Sequence, residues 1–532
     1  MRRRLLASAL LALPIATHAA AQQGPLTRPE RTDFRETSRY ADVRAFLDSV
    51  AAQSPLIHLT TFGYTFEGRA LPLAVVGRVR DASPEAVRAS GKTVVYLQGD
   101  IHAGEVEGKE ALQQILRDVA RGGHAAWMDS LVLLVAPIFN ADGNERIALN
   151  NRPQQNGPIA GMGTRNNAQG LNINRDFSKL ETPEARSQAL LMQAYDPQVL
   201  VDLHTTDGTF HAYQLTYAPP LHPNTDVAIV SLLRQEWLPA IAASAKRKYG
   251  YDFHDYGNVP APESPWAAER GAERGWYTYD WRPRFSNHDW GLRNRFGILS
   301  ETYSYLTFRD RIDVQRRFVE ELVDWAARNA TRIRRITSEA DRRSVVGQTL
   351  AVTARLRRTG PNTILMGEVS EERNPYSGEV MWLRRDVVRP ETMPEFVAYD
   401  AAETERAPAA WLVPDTMRDV ADRLTAHGIR FQRLAAGAEM ALEEFHVDSA
   451  STGRNESEGH HERRVFGRWQ PVTRRLAGGW LRVPADQPLG RLAFTLLEPR
   501  SDDGFSDWGL LDAWLKDASA YPILREPAPA GR

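Results

Sequence analysis

The sequence predicts an α/β fold: a mostly parallel mixed sheet with helices on both faces, followed by a smaller C-terminal domain of mixed α/β character. Three features lead there. Apolar runs rich in branched residues are continuous rather than alternating, which suits strands covered on both faces. Amphipathic helical stretches separate these runs, and strands alternating with helices build a parallel sheet. Beyond about residue 336 the pattern changes to shorter strands, turns and polar segments.

The chain opens with MRRRLLASALLALPIATHAAAQQGP. Three arginines precede an apolar stretch from Leu5 to Ala16, and small residues end at Ala19-Ala20-Ala21. This is the composition of a secretory signal peptide over residues 1–21, so the protein is expected to be exported to the periplasm or the medium. The run is too short to span a membrane, and no later run is long enough. Cysteine is absent. An exported chain without disulfides must draw its stability from its core or from a metal.

The expected strands are TVVYLQ (Thr93 to Gln98), LVLLVAPIF (Leu131 to Phe139), VLVDL (Val199 to Leu203) and FGILS (Phe296 to Ser300). A helix is expected from Glu110 to Val119. In DVQRRFVEELVDWAARNATRIRRI, Val314, Phe318, Leu322 and Trp325 share one helical face. These elements make up an α/β domain over residues 32–336. Residues 337–347 read as a linker and 348–527 as the second domain. There, AAWLVPDTMRDVADRLTAHGIRFQRL reads as strand, helix, strand, with Gly428 ending the helix. GGWLRVPADQPLGRLAFTLLEP reads as two short strands, and DSASTGRNESEGHHERR as a mobile polar loop.

A length of 532 residues allows two or more domains with ample cores. Hydrophobic residues make up 42% of the chain, the content of a globular protein. A net charge of −1 gives no electrostatic ground for a nucleic-acid partner. The sequence leaves the oligomeric state open.

Polar residues gather where the strands end. TVVYLQGDIH closes on His102, with Glu105 three residues on; VLVDLH closes on His204; FGILSE closes on Glu301. Ligands of an open α/β sheet bind outside the carboxyl ends of its strands. Two imidazoles and a carboxylate with an open fourth position make a catalytic zinc site, here His102, Glu105 and His204. Glu301 is then left as a general base for the attacking water. In GTRNNAQGLNINRDF, Arg165 precedes the pair Asn174-Arg175 by nine residues. Arginine binds a carboxylate through two parallel hydrogen bonds, so a substrate with a free carboxylate is expected.

The ordered set of His102, Glu105, Arg165, Asn174, Arg175, His204 and Glu301 resembles the zinc carboxypeptidase family of carboxypeptidase A type. GYTFEGRALPLAVVG resembles the strand-turn-strand that opens that family's catalytic domain, and NADG at Asn140 resembles its NPDG turn. The likeness runs from about Tyr40 to Phe308. It implies one zinc ion, a peptide or protein C-terminus as substrate, Arg165 at the scissile carbonyl, and Asn174 with Arg175 on the terminal carboxylate. It also implies a mobile tyrosine closing over the substrate. Tyr279 in GWYTYDWRPRF fits best, with Tyr277 close by. The chain departs from the family at Asn172, where an aspartate often supports the first zinc histidine. The residue at the floor of the side-chain pocket should lie in RFSNHDW, and none there announces a preference.

His211, His254 and His288 read as loop or pocket-wall residues, and His460 and His461 as part of the polar loop. Two other functions fit the same residues. One is a zinc amidohydrolase acting on cell-wall peptides or N-acyl amino acids. The other is a non-catalytic binding protein on this fold.

Overall fold

The computed structural model describes residues 24–260, 273–435, 437, 439–516 and 519–529. The expected signal peptide lies outside these residues. The first sheet is built from β1 (Ile57–Tyr64), β2 (Ala70–Val76), β3 (Thr93–Gly99), β4 (Leu131–Ala136), β5 (Val199–Thr206), β6 (Leu215–Ala218) and β7 (Phe253–Asp255). After the short β8 (Trp276–Tyr277), β9 (Phe296–Tyr303) completes it, in the order β1-β2-β4-β3-β5-β9-β6-β7. The four central strands β4, β3, β5 and β9 run parallel, and antiparallel neighbours flank them.

Every residue of β3, β4 and β5 is buried, because helices cover both faces. On one side Val95, Leu97, Val199 and Val201 share a core with α1 (Tyr40–Gln53) and α2 (Glu107–Ala120). On the other, Val94, Tyr96 and Leu200 pack against α3 (Pro183–Tyr195) and against Trp290 of α4 (Ser286–Leu292). The longest element, α5 (Phe308–Arg342), buries Val314, Phe318 and Leu322 against the first core. Its Trp325 stacks on Trp237 at 4.5 Å.

Two expectations need correction here. The segment 337–347 is not a free linker: α5 continues through Arg342, because Thr337 and Ala340 remain buried on its inner face. Nor is the polar run a loop. It forms the ends of β19 (Glu439–Ser457) and β20 (His460–Arg475), which pair as one long hairpin.

The C-terminal part is strand-rich. Three ribbons come first: β10 (Thr349–Arg357) with β16 (Ala398–Arg406), β11 (Asn362–Met366) with β14 (Arg389–Met393), and β12 (Val369–Arg373) with β13 (Val380–Arg384). Between them β15 (Glu395–Phe396) runs parallel to β8. A six-stranded sheet follows, in the order β18-β21-β17-β22-β19-β20. Its central strand is β17 (Ala410–Pro414), and β18 is Gln432–Arg433, β21 Trp480–Pro484 and β22 Leu524–Glu526. Helix α6 (Arg418–His427) ends at Gly428, whose φ of +81° suits a residue without Cβ. GRLAFTLL, expected as a strand, is helix α7 (Gly490–Leu497), and every residue of it is buried.

This part shares its core with the first. Leu292 of α4 packs into the cluster of Trp411, Leu492 and Phe494. Arg293 donates to the His427 carbonyl at 2.9 Å. Asp503, fully buried, accepts from the Arg284 backbone at 2.7 Å and from its guanidinium Nε at 2.8 Å. Asp503→Ala leaves a buried guanidinium short of its main counter-charge, which typically costs about 3–5 kcal/mol. Denaturant titration should find that loss, and an unchanged midpoint would contradict the role given to this pair.

Candidate functional site

The parallel register aligns the site. His204 stands directly opposite Glu301 across β5 and β9, so both side chains leave the sheet on the same face. The turn after β3 supplies His102 and Glu105. Gly104 lies between them, where an added Cβ would come within 2.8 Å of the Arg152 side chain. Asn140 anchors this turn to the next one: its side-chain amide donates to the carbonyls of Ile101 and Arg165, each at 3.3 Å.

The Glu105 carboxylate sits between two histidines. His102 Nδ1 lies 3.0 Å from one oxygen and His204 Nδ1 lies 2.9 Å from the other. Each ring turns its Nε2 to a separate oxygen, Asn172 Oδ1 at 3.0 Å for His102 and Asp202 Oδ2 at 3.0 Å for His204. Those oxygens only accept, so each Nε2 keeps its proton; the His102 Nδ1 then turns a lone pair toward the carboxylate, and the His204 Nδ1 is the site of that ring's second, exchangeable proton. A lone pair and an exchangeable ring proton facing one carboxylate offer a cation three donor atoms. Donor atoms of His102, Glu105 and His204 all lie within 4.8 Å of one another, and all three residues are buried. This donor set suits zinc.

The charges agree with that reading. Burial lowers the His102 pKa to about 3, and Arg165 pushes the same way, so the ring is neutral. For Glu105, burial is outweighed by its charged and donating neighbours, Arg152 and His204 among them, and its pKa falls well below the usual carboxylate range. For His204, burial is outweighed by Asp202 and Glu105, which raise its pKa well above the ordinary value. In that ring a bound metal would take the place of the proton on Nδ1. Glu301 differs from Glu105: burial raises its pKa to about 8, and the neighbouring Glu105 adds to the effect.

The cavity over this cluster encloses about 310 Å³. Arg165, Asn174, Arg175, Tyr279 and Glu301 all line it together with His102, Glu105 and His204. Asn174 and Arg175 sit on a 3-10 turn, Ile173–Arg175, capped by Asn172. Asn174 accepts from the Ser286 backbone at 3.1 Å. Arg175 lies 3.9 Å over the Phe285 ring, and burial lowers its pKa to about 10, still charged at neutral pH. Arg165 is more open, with 45% of its side chain exposed, and lies 3.6 Å from Glu105. Of the two tyrosines, Tyr279 faces the cavity and its hydroxyl donates to Asn287 at 2.8 Å. Tyr277 stacks on Phe396 at 4.5 Å instead.

Sequence reasoning missed three residues here. Asp202 was legible, being two residues before His204 on the same strand face. It accepts from Gln98 at 3.1 Å and Ser286 at 2.6 Å, which fixes it toward the ring. Arg152 donates to Glu105 at 2.9 Å, and Tyr256 lines the cavity. Both come from loops without a pattern. His211, His254 and His288 do not line the cavity, contrary to a pocket-wall role. His254 bonds Glu395 and His288 accepts from the Leu221 backbone.

Loss of the carboxylate behind a metal-binding histidine typically weakens metal affinity about 10–100-fold. Asp202→Ala should therefore lower zinc affinity by that factor in competition with a chelator, while wild-type affinity in the variant would contradict the alignment.

Residues 43–280 match the family model described as zinc carboxypeptidase. Among curated proteins, carboxypeptidase 2 of Trichophyton equinum is 22% identical over 489 residues, covering 86% of this chain and 81% of the relative. Carboxypeptidase 2 of Trichophyton rubrum is 23% identical over 479 residues, with the same coverage. Among solved structures, a metallo-carboxypeptidase from Burkholderia cenocepacia aligns with a TM-score of 0.40 and 15% identity, over 55% of this chain and 70% of the other. Carboxypeptidase A from Helicoverpa armigera aligns with a TM-score of 0.39 and 14% identity, over 58% and 76%. The ordered motif residues, their meeting in one cavity and the family match lead to one conclusion: the domain over residues 43–280 belongs to the zinc carboxypeptidase family, and the protein is a zinc metallocarboxypeptidase.

Proposed function

We propose that this protein is an exported exopeptidase that removes the C-terminal residue of peptides, with one zinc ion held by His102, Glu105 and His204. The observation that carries the reading is the cavity itself. It joins this donor set to an acid–base residue outside the set, Glu301, and to a half-buried guanidinium, Arg175. Export rests on the arginines and apolar run of residues 1–21.

A zinc ion there acts as a Lewis acid, acidifying water and polarising a carbonyl. The chain's residues supply the rest. Glu301 takes the proton from the attacking water and returns it to the leaving amine. Its raised pKa suits a group that both accepts and donates near neutrality. Arg165, open to the cavity and 3.6 Å from Glu105, stabilises the oxyanion as charge develops. Asn174 and Arg175 bind the terminal carboxylate and so set the distance from chain end to scissile bond. Tyr279, with Phe285 and Leu299 beside it, closes over the terminal side chain.

Glu301→Gln should keep zinc and fold but lose turnover by roughly 10²- to 10⁴-fold, the usual loss on removing a positioned base. Loss of zinc from this variant, read by metal analysis, would make Glu301 a ligand instead.

The clamp is tested with matched free-acid and amidated peptides. A charge-assisted hydrogen bond contributes about 1.5–3 kcal/mol, so wild type should favour the free acid at least about tenfold. Arg175→Ala should erase that preference, whereas Arg165→Ala should lower kcat, because its partner charge arises only in the transition state. Equal cleavage of both peptides by wild type would overturn the reading.

A further inference from the structure

The hairpin of β19 and β20 extends beyond its own sheet, and its tip reaches the turn that carries Asn174 and Arg175. Ser457 pairs with His460, leaving Glu458 and Gly459 as a two-residue turn. Both have positive φ, +50° and +81°. That is a type I′ turn, whose first position favours asparagine, aspartate or glycine. A glutamate there carries local backbone strain.

The strained residue makes a contact across the whole chain. Glu458 Oε2 accepts the backbone N–H of Asn172 at 2.8 Å. Asn172 in turn presents Oδ1 to His102 Nε2 and to the Asn174 backbone N–H, each at 3.0 Å. One carboxylate from the second domain thus holds the residue that orients a metal ligand and caps the turn bearing Asn174 and Arg175. Strand β20 adds two further contacts. His460 bonds Glu181 at 2.9 Å. Glu462 pairs with Arg284 at 2.7 Å and with Arg282 at 3.3 Å. Arg282 holds Asp280, itself part of the cavity wall, at 2.7 Å.

We infer that Glu458, at the tip of the β19–β20 hairpin, is a positioning residue for the carboxylate clamp, acting through Asn172. The inference rests on the clamp reading of Asn174 and Arg175. A structural role and a positioning role predict opposite signs for one substitution. Glu458→Gly relieves the backbone at a turn position that favours glycine, so the hairpin itself should be as stable as before or more so. The clamp, however, loses its anchor.

The experiment compares wild type, Glu458→Gly and Glu458→Gln with a free-acid peptide and its amide, alongside thermal denaturation. It adds calorimetric binding of the free-acid peptide to the metal-free proteins. Glu458→Gly should raise KM for the free acid and weaken its binding, each about tenfold, the lower end for loss of a hydrogen bond to a charged group. Its kcat should change less, and its melting temperature should not fall. Glu458→Gln, whose amide oxygen can accept the same bond, should remain close to wild type. Wild-type KM and binding in the Gly variant would overturn the inference. So would a fallen melting temperature with unchanged KM, or a Gln variant as impaired as the Gly variant. A wild type indifferent to amidation would overturn the clamp reading instead, and the inference with it.

Discussion

Two imidazole rings turned toward one buried carboxylate set the central constraint in this molecule. His102 Nδ1 and His204 Nδ1 approach opposite oxygens of Glu105, and that arrangement is favourable only with positive charge among them. Holding it requires rigidity that side chains alone do not have. The parallel register of β3, β5 and β9 supplies it, with helices on both faces excluding water. Asp202, Asn172 and Arg152 then fix the rings and the carboxylate from behind. The same register that puts His204 in place brings Glu301 beside it, although Glu301 lies beyond the residues matched to the family.

Much of the site could be read from sequence because catalytic side chains occupy strand ends and strands declare themselves by apolar runs. His204 and Glu301 follow directly from VLVDLH and FGILSE. His102 and Glu105 gain meaning only from those two. Asp202 lay in plain view but reads as an ordinary strand residue until its face is known. Arg152 and Tyr256 come from irregular loops, where position depends on contacts distant in sequence. The long hairpin was missed for a different reason. Most residues near its tip are exposed on both faces, so no apolar alternation marks them as strand. The end of α5 was misplaced because TSEADRR is polar, while the packing of Thr337 and Ala340 is decided by tertiary contacts.

The second domain changes meaning once its contacts are known. From sequence it is a separate unit of unassigned role. In the structure its core takes in Leu292, its Asp503 neutralises Arg284, and its Glu458 reaches the backbone of Asn172. The turn beside the cavity is thus held by a residue almost three hundred positions away. Coverage of the Trichophyton relatives over 86% of this chain fits a unit that comprises both parts.

The account's central claim is that chain-end distance, fixed by Arg175 and Asn174 against the metal cluster, decides where the bond is cut. Time-resolved mass spectrometry of a mixed peptide library digested by the zinc-loaded protein tests it most directly. The account predicts ladders that lose one residue at a time from the C-terminus, with N-termini intact. Internal cuts, or ladders shortened from the N-terminus, would contradict it.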